Sequence, residues 1–106
     1  MVNTQLRRGI LDVCVLTSIL NEDSYGYKII KDLKPIIELS ESTLYTILKR
    51  LEDGKMIIVK KEEYEGRIRK YYHITDIGKK RIEEFKNEFK EIIDVYEFIM
   101  GRNKNE

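Results

Sequence analysis

Ser42, Thr46 and Lys49 stand at i, i+4 and i+7, the spacing that sets side chains in line along one face of a helix. Their shared chemistry is hydrogen bonding. Hydroxyls both donate and accept, and a lysine ammonium donates in three directions. Such a face can bond base edges in a DNA major groove, where lysine suits the guanine acceptors. Thr43, Tyr45 and Arg50 flank the same face, where they fit phosphate contacts or fix the angle of the helix. Downstream, Arg67, Arg69 and Lys70 cluster beside Gly66, a group of cations expected to meet DNA phosphates or the minor groove. Catalytic chemistry finds no footing. Cys14 has neither a second cysteine nor a histidine near it in sequence, and His73 is the only histidine. No Gly-rich phosphate loop, catalytic triad or metal-ligand spacing occurs, so neither an enzyme nor a metal or cofactor is expected.

The element that must carry the first group runs from Ser40 to Gly54. Ser40 is a good N-cap, because its hydroxyl can accept from a free amide of the first turn. Gly54 suits the left-handed position past the helix end. Leu44, Ile47, Leu48 and Leu51 make the apolar stripe opposite the polar face. Taken alone, this segment is either an ordinary amphipathic surface helix or a groove reader, and the rest of the chain has to decide.

The net charge of +1 excludes a generally basic protein. The charges are nevertheless uneven. Residues 40–81 carry 11 basic and 7 acidic side chains, whereas residues 82–106 carry 4 and 7. A basic middle and an acidic tail confine any nucleic-acid contact to the middle. With 106 residues and 42% apolar content, the chain fits one domain with one core. The single cysteine rules out an internal disulfide and fits a reducing compartment. Met1 to Arg8 lacks the pattern of an export signal, and no apolar run reaches the ~18 residues that cross a bilayer. A cytoplasmic protein without membrane contact is expected.

A first helix is expected over Gln5 to Leu20. Its apolar residues, among them Leu6, Ile10, Leu11, Val15 and Leu16, surround most of the cylinder. Such a helix is covered on most sides, by its own chain or by a second subunit. Asn21 to Ser24 reads as a turn and cap. A second helix follows over Tyr25 to Lys34 and ends at Pro35. Lys28 faces out from it and could touch a DNA backbone. Tyr25 could touch a DNA backbone or be a half-buried packing residue. Ile36, Ile37 and Leu39 are expected to fill the next connection. Ile57 to Tyr64 and Arg69 to Ile74 read as two strands about a Glu65-Gly66-Arg67 turn, a β-hairpin. Thr75 caps a long last helix, Asp76 to Gly101. In it Ile82, Phe85, Phe89, Ile92, Tyr96 and Ile99 step by three and four, a heptad seam that Ile93 widens. With the core already filled, that seam is expected to lack a partner within its own chain, so a homodimer is expected. Arg102 to Glu106 should fray.

Helix, helix, helix, hairpin, helix is the order of a winged helix-turn-helix with an added C-terminal helix, a mainly α fold with one β-hairpin. The domain division follows: residues 1–75 as the DNA-binding unit, 76–101 as the dimerisation helix and 102–106 as a tail. The sequence resembles the PadR-type transcriptional regulators. The likeness rests on Leu6-Arg7-Arg8-Gly9-Ile10-Leu11, on Ser24-Tyr25-Gly26-Tyr27-Lys28-Ile29 and on the run from Leu39 to Glu52. It continues through Gly66-Arg67-Ile68-Arg69-Lys70-Tyr71-Tyr72 and Ile74-Thr75-Asp76-Ile77-Gly78. Ile68 departs from the family, which usually has proline there.

The resemblance implies a homodimeric repressor that binds a double-stranded DNA operator and is released by a small aromatic or hydrophobic effector. The short form, with one C-terminal helix, is similar to the multidrug-sensing branch. By that analogy Phe89 would stack on a planar ligand between subunits and Ile93 would line the pocket. Cys14 is a small core residue or a further pocket residue. The competing class is a winged helix that binds protein partners, or DNA without sequence preference and without an effector.

Overall fold

A computed structural model of the chain describes residues 4–102. The elements run α1 (Thr4–Ser18), α2 (Gly26–Leu33), α3 (Glu41–Asp53), β1 (Ile57–Tyr64), β2 (Arg67–Ile74) and α4 (Asp76–Ile99). Residues 103–106, which fall in the expected tail, lie outside the described residues.

α1 is the centre of the molecule and packs against α2, α3 and α4. Leu11, Val13, Val15, Leu16 and Ile19 are buried there, whereas Leu6, Ile10 and Cys14 are half-buried. The chain itself thus covers most of this helix. It ends two residues earlier than expected, in a tight turn where the Ile19 and Leu20 amides donate to the Leu16 and Thr17 carbonyls. Ile29 and Leu33 of α2 and Leu44, Ile47, Leu48 and Leu51 of α3 complete the helical core. Each such burial contributes about 1.5–3 kcal/mol, which fixes α3 by its apolar stripe and leaves the opposite face free.

β1 and β2 pair antiparallel, with Ile57 opposite Ile74 and Tyr64 opposite Arg67. Glu65 and Gly66 form the two-residue turn, at φ 51° and 79°. Two positive φ values match the right-handed twist of a hairpin, and glycine adopts the second at no steric cost. The arrangement is a winged helix-turn-helix, mainly α with one hairpin.

Several local expectations are corrected. Ser24 is not a cap. Its backbone forms a bridge to Tyr72, with N···O distances of 3.3 and 2.7 Å, so the α1–α2 connection adds a third backbone to the base of the wing. The N-cap of α2 is Tyr25, which makes no side-chain capping bond. Past α3, Gly54 stays at φ −83° and Lys55 takes the left-handed position at 60°. The Met56 amide then closes back on the Leu51 carbonyl at 2.9 Å. Ile36 does not fill the connection; it is exposed, while Leu39 alone of the three is buried.

Thr75 caps α4 as expected, accepting from the Gly78 amide at 3.2 Å. Its hydroxyl also donates to the Lys55 carbonyl at 2.7 Å, which ties the start of α4 to the end of α3. Gly78 is needed here, since a Cβ would lie 2.4 Å from the Met56 carbonyl oxygen. α4 spans 24 residues, ~36 Å at 1.5 Å per residue, and it stretches the molecule to 62 × 26 × 21 Å.

The seam on α4 divides. Ile82 is only 4% exposed and belongs to the core, and Phe85 packs over Gly9 of α1. These two seam residues therefore have partners within the chain, contrary to expectation, because α1 reaches back along the first turns of α4. From Phe89 onward the expectation is unchanged: Phe89, Ile92, Ile93, Tyr96 and Ile99 are all exposed. Val95, Phe98 and Met100 are exposed beside them.

Candidate nucleic-acid interface

α3 presents Ser42, Thr43, Tyr45, Thr46 and Lys49 to solvent. Ser40 organises the first turn. Its Oγ accepts from the Thr43 amide at 3.2 Å and donates to Thr43 Oγ1 at 2.9 Å. Ser40 and Ser42 hydroxyls lie 3.3 Å apart. Thr46 Oγ1 donates to the Ser42 carbonyl at 3.0 Å, which leaves the oxygen's lone pairs for an outside donor. Lys49 reaches Asp53, one turn on, at 3.0 Å. That hydrogen bond raises the lysine pKa, so the ammonium is firmly charged. Exposed i,i+4 pairs are weak, and a stronger anion such as phosphate, or a guanine edge, can compete for this lysine.

Arg50 behaves differently. Its guanidinium turns away from the polar face and grips Asp12 of α1, with Nε donating to Oδ2 at 3.3 Å and Nη2 to Oδ1. Both side chains are largely shielded. Arg50 is thus engaged within the fold and is not presented beside Ser42, Thr46 and Lys49.

Tyr25 and Lys28 open α2. Lys28 bonds Asp32 at 2.8 Å, which raises its pKa, and lies 3.8 Å from Glu22. Tyr25 is half-buried and meets Tyr71 edge to face, with ring centroids 5.7 Å apart. Gly26, next to it, lets Tyr45 of α3 come close: a Cβ would sit 2.8 Å from the phenol oxygen. α2, α3 and the wing thus enclose one cleft. Tyr25, Tyr45, Tyr64, Arg67 and Lys70 line it.

The wing cations separate in the same way as the α3 arginine. Arg67 and Lys70 are exposed. Arg69 is half-buried among tyrosine rings, and its Nη1 donates to Tyr71 Oη at 3.3 Å. His73 lies at the base of the wing. Its Nδ1 is 2.7 Å from Asp23 Oδ1, and Lys60 Nζ is 3.6 Å from Oδ2 of the same carboxylate. The His73 hydrogen bond is the main cause of a lowered Asp23 pKa. Tyr72 is buried, and desolvation raises its pKa, so it belongs to the core of the wing.

Away from this surface, Phe89 stacks on Phe85, with centroids 5.6 Å apart and planes 21° from parallel. Burial raises the Cys14 pKa and keeps it a neutral thiol. Among the described residues no cluster of three His, Cys, Asp or Glu side chains could hold a metal, and no helix is long and apolar enough to cross a membrane.

Sequence reasoning missed Asp12, Asp23, Gly26 and Tyr64. Asp12 carried a signal: a lone carboxylate between Leu11 and Val13 in an apolar helix requires a partner. Tyr64 could have been placed by the two-residue turn, which sets the register with Arg67. The approach of Tyr45 to Gly26 depends on tertiary packing and has no local signature.

The profile of the transcriptional regulator PadR-like family matches residues 15–84. An uncharacterised protein of Lysinibacillus sphaericus is 37% identical over 108 residues, covering 91% of this chain and 95% of the relative. A crystal structure of a Streptococcus mutans protein superposes with TM-score 0.78 at 34% identity, over 93% of this chain and 94% of the other. A PadR family transcription regulator of Clostridium difficile gives TM-score 0.77 at 32% identity, over 85% and 97%.

Proposed function

This chain belongs to the PadR-like family of transcriptional regulators rather than to a family of enzymes, and we propose that it works as a homodimeric repressor at a double-stranded DNA operator in the cytoplasm. The observation that carries the proposal is the exposed Ser42, Thr46 and Lys49 face of α3, held by a fully buried apolar stripe and flanked by the Arg67 and Lys70 cations of the wing. Residues 1–75 form the DNA-binding unit and 76–101 the dimerisation helix.

Ser42, Thr46 and Lys49 contact base edges, while Thr43 and Tyr45 contact phosphate. The free first-turn amides of α3 favour the same anion. Lys28 and Tyr25 border the backbone, and Arg67 and Lys70 meet phosphates beside the wing. Arg50 sets the tilt of α3 from its seat on Asp12. The dimer forms along α4 through Phe89, Ile92, Ile93, Tyr96 and Ile99, with Leu6 and Ile10 of α1 at its edge. It presents two reading helices about one DNA turn, ~34 Å, apart.

An aromatic or hydrophobic effector would bind between the subunits near Phe89, Ile93 and Cys14 and release the operator by favouring a different spacing of the reading helices. It can do so only to the extent that it binds the two spacings unequally. Phe89 offers the ring, already aligned with Phe85 and still partly open.

Selection of genomic DNA fragments on the purified protein tests the reading. The expected result is a shared site with two related halves about one turn apart, bound with a steep salt dependence. Fragments with no common sequence would overturn it in favour of a protein-binding or non-specific module.

A further inference from the structure

The register sets Tyr64 opposite Arg67 and Glu62 opposite Arg69, so Tyr64 and Arg69 are diagonal neighbours on one face of the hairpin. There the guanidinium carbon of Arg69 lies 3.9 Å from the Tyr64 ring centroid. It also lies 4.0 Å from the ring of Tyr25, which belongs not to the wing but to the start of α2. A third ring, Tyr71, is 6.0 Å away and accepts the Nη1 hydrogen bond. Among the described residues no carboxylate pairs with this arginine. Only a planar, delocalised cation can stack on flat rings in this way, so lysine is no substitute. Tyr25 adjoins Gly26, on which Tyr45 of α3 rests. The contact therefore runs from the wing through α2 to the reading helix.

Resting on the DNA-binding reading above, we propose that Arg69 is a positioning residue. Its guanidinium, held by Tyr64 of the wing and Tyr25 of α2, sets the angle of the wing against α3, and the phosphate contacts fall to Arg67 and Lys70. The two arginines and the lysine of the wing thus have different duties, although they look alike as a basic cluster.

The test compares R69K, R69A, Y64L and K70A on a selected operator fragment across a salt series. Hydrogen exchange of the wing amides is measured in parallel on the DNA-free proteins, and circular dichroism checks the fold. A clamp predicts that R69K binds no better than R69A, that both lose about tenfold in affinity, and that Y64L does the same. It predicts an unchanged salt slope for all three, with faster wing exchange in the absence of DNA. K70A, by contrast, should reduce the slope by about one. The proposal is overturned if R69K binds like the unaltered protein while R69A lowers the slope by about one, since Arg69 would then be a phosphate contact. If the unaltered protein selects no operator, hydrogen exchange alone decides: wing protection in R69K equal to the starting protein overturns the clamp.

Discussion

Arg50 of α3 and Asp12 of α1 are joined by two hydrogen bonds across 38 positions of sequence, and this pair ties α3 to the central helix of the fold. Removing the carboxylate leaves a largely shielded guanidinium without its partner, at a cost of about 1–3 kcal/mol. Asp12→Ala is therefore expected to lower Tm by roughly 5 °C or more and to weaken operator binding, although Asp12 lies off the DNA face. Thermal melts and binding isotherms check this. A variant with unchanged Tm and unchanged affinity would show that the pair does not hold α3.

The division of the α4 seam predicts two different phenotypes. Ile82→Ala opens a cavity in the core and should destabilise the subunit by about 2–4 kcal/mol. Ile92→Asp changes an exposed position and should leave the secondary structure intact while producing monomers, read by light scattering. A stable dimer of the Ile92→Asp variant would remove α4 as the subunit interface.

Gly26 and Tyr45 should act as a unit. A Cβ at Gly26 would come 2.8 Å from the Tyr45 phenol oxygen and 3.4 Å from the ring carbon that bears it. Gly26→Ala should thus displace the phenol and weaken binding several-fold while the subunit stays folded. Removing the hydroxyl relieves the clash, so Gly26→Ala with Tyr45→Phe should bind no worse than Tyr45→Phe alone. Additive losses would mean that Gly26 acts through something other than Tyr45.

The pairing of Asp23 with His73 gives a pH dependence with a definite sign. A depressed carboxylate pKa contributes stability that is present above the unfolded value, about 4, and is lost as pH falls through the folded value. The starting protein should lose Tm more steeply below about pH 4 than Asp23→Asn does. Parallel slopes from pH 6 to pH 3 would show that the contact contributes nothing. The effect should be small, because both groups are partly solvated.

The order of elements, the cap at Thr75, the two-residue turn and the apolar stripe of α3 were legible in the sequence because each is local. Periodicity, a capping residue and a Gly-containing turn are written within a few positions. The surroundings of Arg50 and Arg69 were not legible, since a cation on a helix or hairpin looks the same whether it faces solvent, a carboxylate 38 positions away or two tyrosine rings. Ile82 was misplaced for a related reason: the heptad continues unbroken from Ile82 to Ile99, and only the reach of α1 determines where intrachain packing stops. Ser24 looked like a cap because serine favours caps, yet its backbone was taken by Tyr72 across the fold.

The central claim is that the polar face of α3 reads sequence. The most direct measurement compares Lys49→Ala with the starting protein on a selected operator and on unrelated DNA of equal length and at equal salt. If Lys49 bonds a base, operator affinity falls by about 1–3 kcal/mol while affinity for unrelated DNA changes far less. An equal loss on both DNAs would make Lys49 a phosphate contact and contradict the assignment of α3 as the sequence reader through this residue.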